Sequence, residues 1–264
     1  MGKTQESTPP HRDIIVLGAS AGGVQALCEV IGRLPPNLPA AVFVVLHIAP
    51  HSQSAMPAIL SRAGCMPASH PEDGEPIVPG WIYVAPPDRH LAMEDSKVCL
   101  LRNAAENGHR PAVDVLFRSA AREYGRRVIA VVMTGNLDDG TAGLALVKRL
   151  GGVAVVQDPE DADYPGMPES AITHVEVDYV VPVANIGSLL DRLVHEPLPD
   201  LAEELAPGEP SRQADRRARG RALGRDARLN DGGISERYHQ RAEDAEKHAR
   251  FLRTLLQQGG ADLE

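Results

Sequence analysis

Four apolar residues in a row, Ile14-Ile-Val-Leu17, follow Asp13 and run into Gly18, which predicts a buried strand over 13–17. Gly18-Ala-Ser-Ala-Gly-Gly23 then reads as a turn, and Val24, Leu27, Cys28 and Ile31 recur at helical spacing up to Gly32. A second strand over 41–46 stops at His47, and a helix follows over about 54–62. Strand, turn, helix and strand in alternation imply parallel pairing in an α/β sheet. The middle of the chain differs. Short apolar runs at 81–84, 90–93 and 97–101, the last two parted only by Glu94-Asp95-Ser96, predict a small antiparallel excursion. Alternation resumes with a helix that starts near Pro111 and Asp114 and ends at Gly125. The strongest strand pattern lies at 127–133, followed by a helix over about 140–150 and strands at 153–156 and 179–183. Asn185 is placed to cap a last helix reaching about Val194. The whole pattern predicts a mostly parallel, doubly wound, Rossmann-like α/β sheet with one antiparallel excursion.

From Glu196 the pattern breaks. Pro197, Pro199, Pro207 and Pro210 interrupt any helix, and seven arginines between Arg212 and Arg228 have few apolar neighbours. This predicts a catalytic-type domain over 12–196 and a Pro/Arg-rich linker over 197–233. An amphipathic C-terminal helix is expected over 234–258, capped by Ser235 and striped by Tyr238, Ala242, Ala245, Ala249, Leu252 and Leu256. Such a stripe needs a partner, either the main domain or another helix. No internal repeat is visible.

Composition narrows the function. Of 264 residues 43% are hydrophobic and 24% charged, enough for one well-packed domain and an appendage. Net charge is −9, and residues 1–198 carry 15 Lys and Arg against 23 Asp and Glu, an acidic balance that argues against nucleic acid as partner. Cys28, Cys65 and Cys99 form no CxxC pair and leave one over in any disulfide scheme, as in a reduced cytoplasmic protein without a zinc ribbon. The polar, proline-containing residues 1–12 do not read as a signal sequence, and no apolar run approaches a membrane span. The expected location is the cytoplasm, with no membrane insertion.

Gly18-x-Ser20-x-Gly22 sits where a strand turns into a helix, the context of a nucleophile elbow. Small neighbours permit the tight turn, and the helix N-terminus offers unpaired N–H groups to an oxyanion. A phosphate-binding glycine turn of a nucleotide-binding Rossmann-like module fits the motif alone equally well. The end of the second strand favours the first reading. A dinucleotide fold places an acid there for the ribose, whereas this chain has His47 and no acid until Glu72. In a parallel sheet His47 could stand beside Ser20 as the base that a serine nucleophile needs. The strand at 127–133 leads into Thr134-Gly-Asn-Leu-Asp-Asp-Gly140, which brings Asp138 and Asp139 to a third strand end. One could orient the imidazole while the other caps the following helix.

At these residues the chain resembles the CheB-type chemotaxis protein-glutamate methylesterases. The resemblance spans about residues 12–195. It includes Gly-Ala-Ser-Ala-Gly-Gly at 18–23, Val-Val-Leu-His at 44–47 and Ala-Pro-Pro-Asp-Arg-His at 85–90. It continues with Arg-Pro-Ala-Val-Asp-Val-Leu-Phe at 110–117, Met-Thr-Gly-x-x-x-Asp-Gly at 133–140 and Gly-Met-Pro-Glu-Ser-Ala at 166–171. By this resemblance Ser20 is the nucleophile, His47 the base and Asp139 the orienting acid. Hydrolysis of glutamate methyl esters on chemoreceptors, release of methanol and deamidation of receptor glutamines are implied, with no metal or organic cofactor.

The implied oxyanion donors lie near Ala21 and Asn136, where relatives often carry threonine and methionine; backbone N–H groups would survive both changes. Arg89 and Arg110 lie in matching segments and are candidates for a substrate-binding rim, with exposed structural arginines as the equal alternative. His51, His70, His90 and His109 lack metal-ligand spacing and are expected in loops or at the surface. The stretch before the first strand leaves no room for the phosphoacceptor receiver domain of many relatives. A stand-alone form is therefore expected, without aspartyl phosphorylation on the same chain. The implied partners are methylated chemoreceptor cytoplasmic helices, with a receptor methyltransferase or a separate regulator as further candidates. A catalytically silent signalling interaction protein, working through its tail, is the remaining alternative.

Overall fold

All six residues of the first strand, β1 (Ile14–Ala19), are buried, because helices cover both faces of the sheet it joins. The computed structural model describes residues 10–48 and 54–198. After β1 come α1 (Gly23–Ile31), β2 (Ala41–Leu46), α2 (Met56–Ala63), β3 (Ala68–Ser69) and β4 (Ile82–Val84). A hairpin of β5 (His90–Glu94) and β6 (Lys97–Leu101) follows, then α3 (Val113–Tyr124), β7 (Val128–Val132), α4 (Thr141–Arg149) and β8 (Val153–Gln157). The last elements are α5 (Gly166–His174), β9 (Tyr179–Val181) and α6 (Val183–His195).

Seven strands form one parallel sheet in the order β3-β4-β2-β1-β7-β8-β9, and β5 and β6 pair antiparallel apart from it. Alternate strand residues point to opposite faces. Ile15, Leu17 and Ala19 of β1 therefore pack with α1, α2 and α6, while Ile14 and Val16 pack with α3, α4, α5 and the hairpin. The order reverses at β1: β2 lies on one side and β7 on the other. Such a reversal leaves a crevice at the carboxyl ends of the strands, where α/β proteins place ligands.

The doubly wound class and the antiparallel excursion agree with the sequence pattern, with three local differences. The run at 81–84 is not part of the excursion; β4 pairs parallel with β2, Val42 opposite Ile82. A three-residue run carries no mark of its partner, and the crossover through α2 decides the direction. α5 and the two-residue β3 were not predicted, since α5 opens on Gly166 and Pro168 and buries only Met167, Pro168 and Ala171. α6 begins two residues before Asn185, so Pro182 holds the cap position and Asn185 lies inside the first turn, donating its backbone N–H to the Pro182 carbonyl (2.9 Å).

At the end of the described chain, Pro197 bridges to His11 and the Leu198 N–H donates to the Pro10 carbonyl (2.8 Å). The rest of the expected linker (197–233) and the expected helix over 234–258 lie outside the described residues. No helix among the described residues is long and apolar enough to cross a membrane.

Every strand of the sheet among the described residues precedes Leu198, so truncation after this residue should leave an α/β unit that folds by itself. The expected result is a cooperative thermal melt within a few degrees of the full chain. Aggregation or a broad melt would show that a later segment belongs to the core.

Candidate active site

β1 and β2 pair with Ala19 opposite Leu46, so the next residues, Ser20 and His47, leave the same edge of the sheet side by side. Backbone bonds hold both in place. The His47 N–H donates to the Ala19 carbonyl (3.2 Å), and the Ser20 N–H to the Thr134 carbonyl beyond β7 (2.9 Å). Gly22 caps α1 at φ 72°, a left-handed conformation that glycine adopts without strain, and its missing Cβ leaves room for Asp163 and Thr134. Gly135 allows the Thr134 loop to close on Ser20: a Cβ there would stand 2.8 Å from that of Ser20 and would overlap Met167.

The Ser20 hydroxyl lies 3.1 Å from Nδ1 of His47, and Nε2 of His47 lies 2.7 Å from the Asp139 carboxylate. A carboxylate only accepts, so the neutral imidazole carries its proton on Nε2, and Nδ1 is free to accept from the serine. The ring is therefore used in the opposite sense to the Ser-His-Asp arrangement in which Nε2 faces the serine. His47 leaves the edge of the sheet at its backbone, which turns Nδ1 toward Ser20 and the far nitrogen inward.

Asp139 is 2% exposed and is held on all sides. It accepts the N–H groups of Val113 (2.7 Å) and Asp114 (3.1 Å), the first turn of α3, and the Asn107 amide (3.0 Å). α3 has no side-chain cap of its own, so Asp139 supplies one from a distant loop. Asp114 does the same for α4, accepting the Gly143 N–H (2.6 Å), and shares the Asn107 amide (2.9 Å). Neither aspartate caps its own helix; each caps the other's. The close approach depends on glycine, since a Cβ on Gly18, Gly140 or Gly143 would overlap Val113 or Phe117 of α3.

Burial alone would push both carboxyls up. At Asp139 the hydrogen bond and charge of His47 and the donors from Val113 and Asn107 outweigh it and bring the group down to about 2. At Asp114 burial wins over the Gly143 and Asn107 donors, helped by the Asp139 charge, and the carboxyl is raised. Asp139 thus stays anionic across the working range, as an orienting acid must.

The other predicted residues separate. Asp138 is exposed and caps nothing with its side chain; Gly140, at φ 98°, holds the cap position of α4. The expected aspartate cap is therefore absent, because a glycine in the left-handed region already ends the turn. Ala21 follows Ser20 in the turn, and its N–H enters no backbone hydrogen bond among the described residues. Asn136 lies next to Gly135 in the loop that closes on Ser20, but the Gly135 N–H is already given to the Tyr164 carbonyl (2.9 Å). Arg110 binds Asp88 through both Nε (2.9 Å) and Nη2, and donates to the Asn103 carbonyl (2.8 Å). Its hydrogen bonds, aided by its charge, serve the loop and hold the Asp88 carboxyl below the usual range. Arg89 is half-buried in the same loop.

Two histidines expected in loops or at the surface are neither idle nor exposed. His90 is buried, accepting from the Ala112 N–H (3.2 Å) and donating to the Ala104 carbonyl (3.1 Å). His109 lies flat against His47, ring centroids 3.6 Å apart and planes within 8°. His70 is half-buried with Nδ1 at the Val84 carbonyl (2.9 Å), and His51 lies outside the described residues. Among the described residues no group of three or more His, Cys, Asp or Glu is arranged to hold a metal.

The CheB methylesterase domain profile matches residues 15–190, which include every strand from β2 onward and all three residues of the Ser-His-Asp constellation. This chain belongs to the CheB methylesterase family. Over 70% of its length it superposes on the whole CheB methylesterase catalytic domain of Thermotoga maritima, with a TM-score of 0.67 and 37% identity. A protein-glutamate methylesterase/protein-glutamine glutaminase of Rhodopseudomonas palustris is 38% identical over 185 residues, covering 68% of this chain and 50% of the relative. A Leptospira interrogans relative, named as a candidate enzyme of the same kind, is 38% identical over 182 residues, 69% of this chain and 94% of the relative. The chain thus spans about half the length of several relatives and nearly all of a shorter one.

Within this CheB methylesterase domain the sequence reading overlooked Asn107, the contact of His109 with His47 and the capping role of Asp114. Asn107-Gly108 is a turn signal directly before the matched segment at 110–117, and it marks a tight hairpin: Glu106 and His109 exchange backbone bonds of 3.0 and 2.9 Å. Which aspartates that turn would reach was not encoded locally.

The depressed Asp139 carboxyl has a consequence for stability. Its ordinary value, close to that of the unfolded chain, is 3.8, and its folded value is about 2. The stabilisation is complete above the unfolded value and is lost as pH falls through the folded one. It is on the order of 2 kcal/mol. Asp139→Asn should therefore lower stability at neutral pH, and the gap to wild type should close between about pH 4 and 2. Denaturant titrations over that range check this; a gap that persists at pH 2 would show that the loss is packing and not charge.

Proposed function

We propose that this chain is a serine hydrolase that removes methyl esters from glutamate side chains of chemoreceptors and deamidates selected receptor glutamines. The observation that carries the reading is the unbroken run from the Ser20 hydroxyl through both nitrogens of His47 to the buried Asp139 carboxylate. The names of the relatives support the substrate. The glycine turn does not favour a nucleotide, because the position of a ribose-binding acid is held by a histidine already engaged with Ser20.

In the proposed reaction the Ser20 Oγ attacks the ester carbonyl carbon as its proton passes to Nδ1 of His47. Asp139 stabilises the resulting imidazolium through Nε2, and the oxyanion is held by N–H groups at Ala21 and the Asn136 loop. Collapse breaks the C–O bond, and methanol leaves with the proton from His47. Water then attacks the acyl-serine, gives a proton to His47, and releases glutamate and the free Ser20 hydroxyl. A glutamine follows the same path with ammonia as the leaving group. The scheme draws on no metal or organic cofactor.

The receptor's cytoplasmic helices are the proposed partner, with the cytoplasm as the site of action. Control would come from a separate regulator or from association with a receptor methyltransferase. Arg89 is the better candidate for the substrate rim, since Arg110 is committed to Asp88.

Ser20→Ala should abolish methanol release from methylated receptor and labelling by a fluorophosphonate, with stability changed by less than ~1 kcal/mol because only a half-exposed hydroxyl is lost. Hydrolysis that survives this substitution would falsify the assignment. The two adjacent aspartates should separate as well. Asp139→Asn is expected to lower turnover by up to ~10⁴-fold by favouring the wrong tautomer, whereas Asp138→Asn should leave turnover and melting temperature close to wild type. Paired rates and melts decide between them, and the reverse outcome would move the orienting acid by one residue.

A further inference from the structure

The His47 ring has two nitrogens, and both are engaged, one by Ser20 and one by Asp139. Two single hydrogen bonds at opposite edges resist rocking of a flat ring only weakly, whereas packing on its faces resists it directly. One face is covered by His109, parallel to within 8° at a centroid distance of 3.6 Å. The covering ring comes from a braced turn. Asn107 and Gly108 take left-handed conformations at φ 52° and 77°, and Glu106 pairs with Arg118 of α3 (2.6 Å). From the same turn Asn107 donates to both Asp139 and Asp114. One hairpin tip thus lies over the imidazole and holds the carboxylate that orients it. The result is a His47 side chain only 6% exposed, although it stands in a loop at the sheet edge.

We propose that His109 is a positioning residue: its flat ring holds His47 in the orientation that engages Ser20 and Asp139 together and shields the His47–Asp139 bond from water. This rests on the esterase reading of Ser20, His47 and Asp139, but acts through His47 and requires no contact with substrate. What is needed at position 109 is a flat ring, not an ionisable or hydrogen-bonding group. Misplacement of a reacting group by about an ångström can cost on the order of a hundredfold in rate, so loss of the restraint should be readily visible.

The test uses the full chain in four forms: wild type, His109→Ala, His109→Gln and His109→Phe. Two measurements are made on each, the rate of Ser20 labelling by a fluorophosphonate and the low-field proton NMR signal of the His47 Nε2–H. Thermal melts accompany both. Ala and Gln are expected to slow labelling about tenfold or more and to broaden or abolish the signal through exchange with water. Phe should keep the signal and label within about threefold of wild type. The proposal is overturned if Ala matches wild type in both measurements, if Gln restores what Ala loses, or if Phe fails as Ala does. Should wild-type Ser20 resist labelling, the esterase reading falls, while the NMR signal across the four forms still decides the role of His109.

Discussion

The site depends on the exchange of caps between α3 and α4. Each helix begins without a side-chain cap from its own flanking residues, at Ala112 and at Gly140. Asp139 and Asp114 fill these places reciprocally, so that two buried carboxylates are satisfied by two helix ends. A buried carboxylate is costly without such donors. Once made, the exchange leaves Asp139 with one oxygen facing His47 and no freedom to turn away. Asp139 is thus fixed by helix packing, and glycines at 18, 140 and 143 are the positions that let the helices come close enough.

The same exchange divides the labour between two carboxylates of one type. Asp139 has the imidazole as a further partner and remains ionised well below neutral pH; at Asp114 burial outweighs its donors and the charge of Arg118, and the carboxyl is pushed upward. Asn107 donates to both, so a surface turn takes part in the balance. Ser20 and His47 are held differently, by neighbouring strands whose register puts them at adjacent ends. Helix ends set the acid, strand ends set the serine and histidine, and the imidazole joins the two systems through its opposite nitrogens.

The elements whose chemistry is local were legible in the chain. The apolar runs of β1, β2, β7 and β8 announced a buried parallel sheet, because strands covered on both faces need no alternation. Gly18 to Gly23 announced a sharp turn, and a histidine in place of an acid after β2 pointed to hydrolysis. Where the pattern was short or its partner remote, the reading stopped. The direction of β4, the existence of α5 and the start of α6 depended on crossovers and on a proline, not on periodicity.

The sequence by itself therefore determined the fold class, the elbow serine, and the histidine and aspartate that could join it. Each of these follows from residue type and short-range spacing. Only the tertiary structure decided which nitrogen of His47 faces Ser20, which aspartate is buried, that Arg110 is spent on Asp88, and that His109 covers His47. Each of these is a contact between segments tens of residues apart, 27 from Ser20 to His47 and 92 from His47 to Asp139. Side-chain direction at such distances is set by backbone register and helix packing, which no local pattern carries.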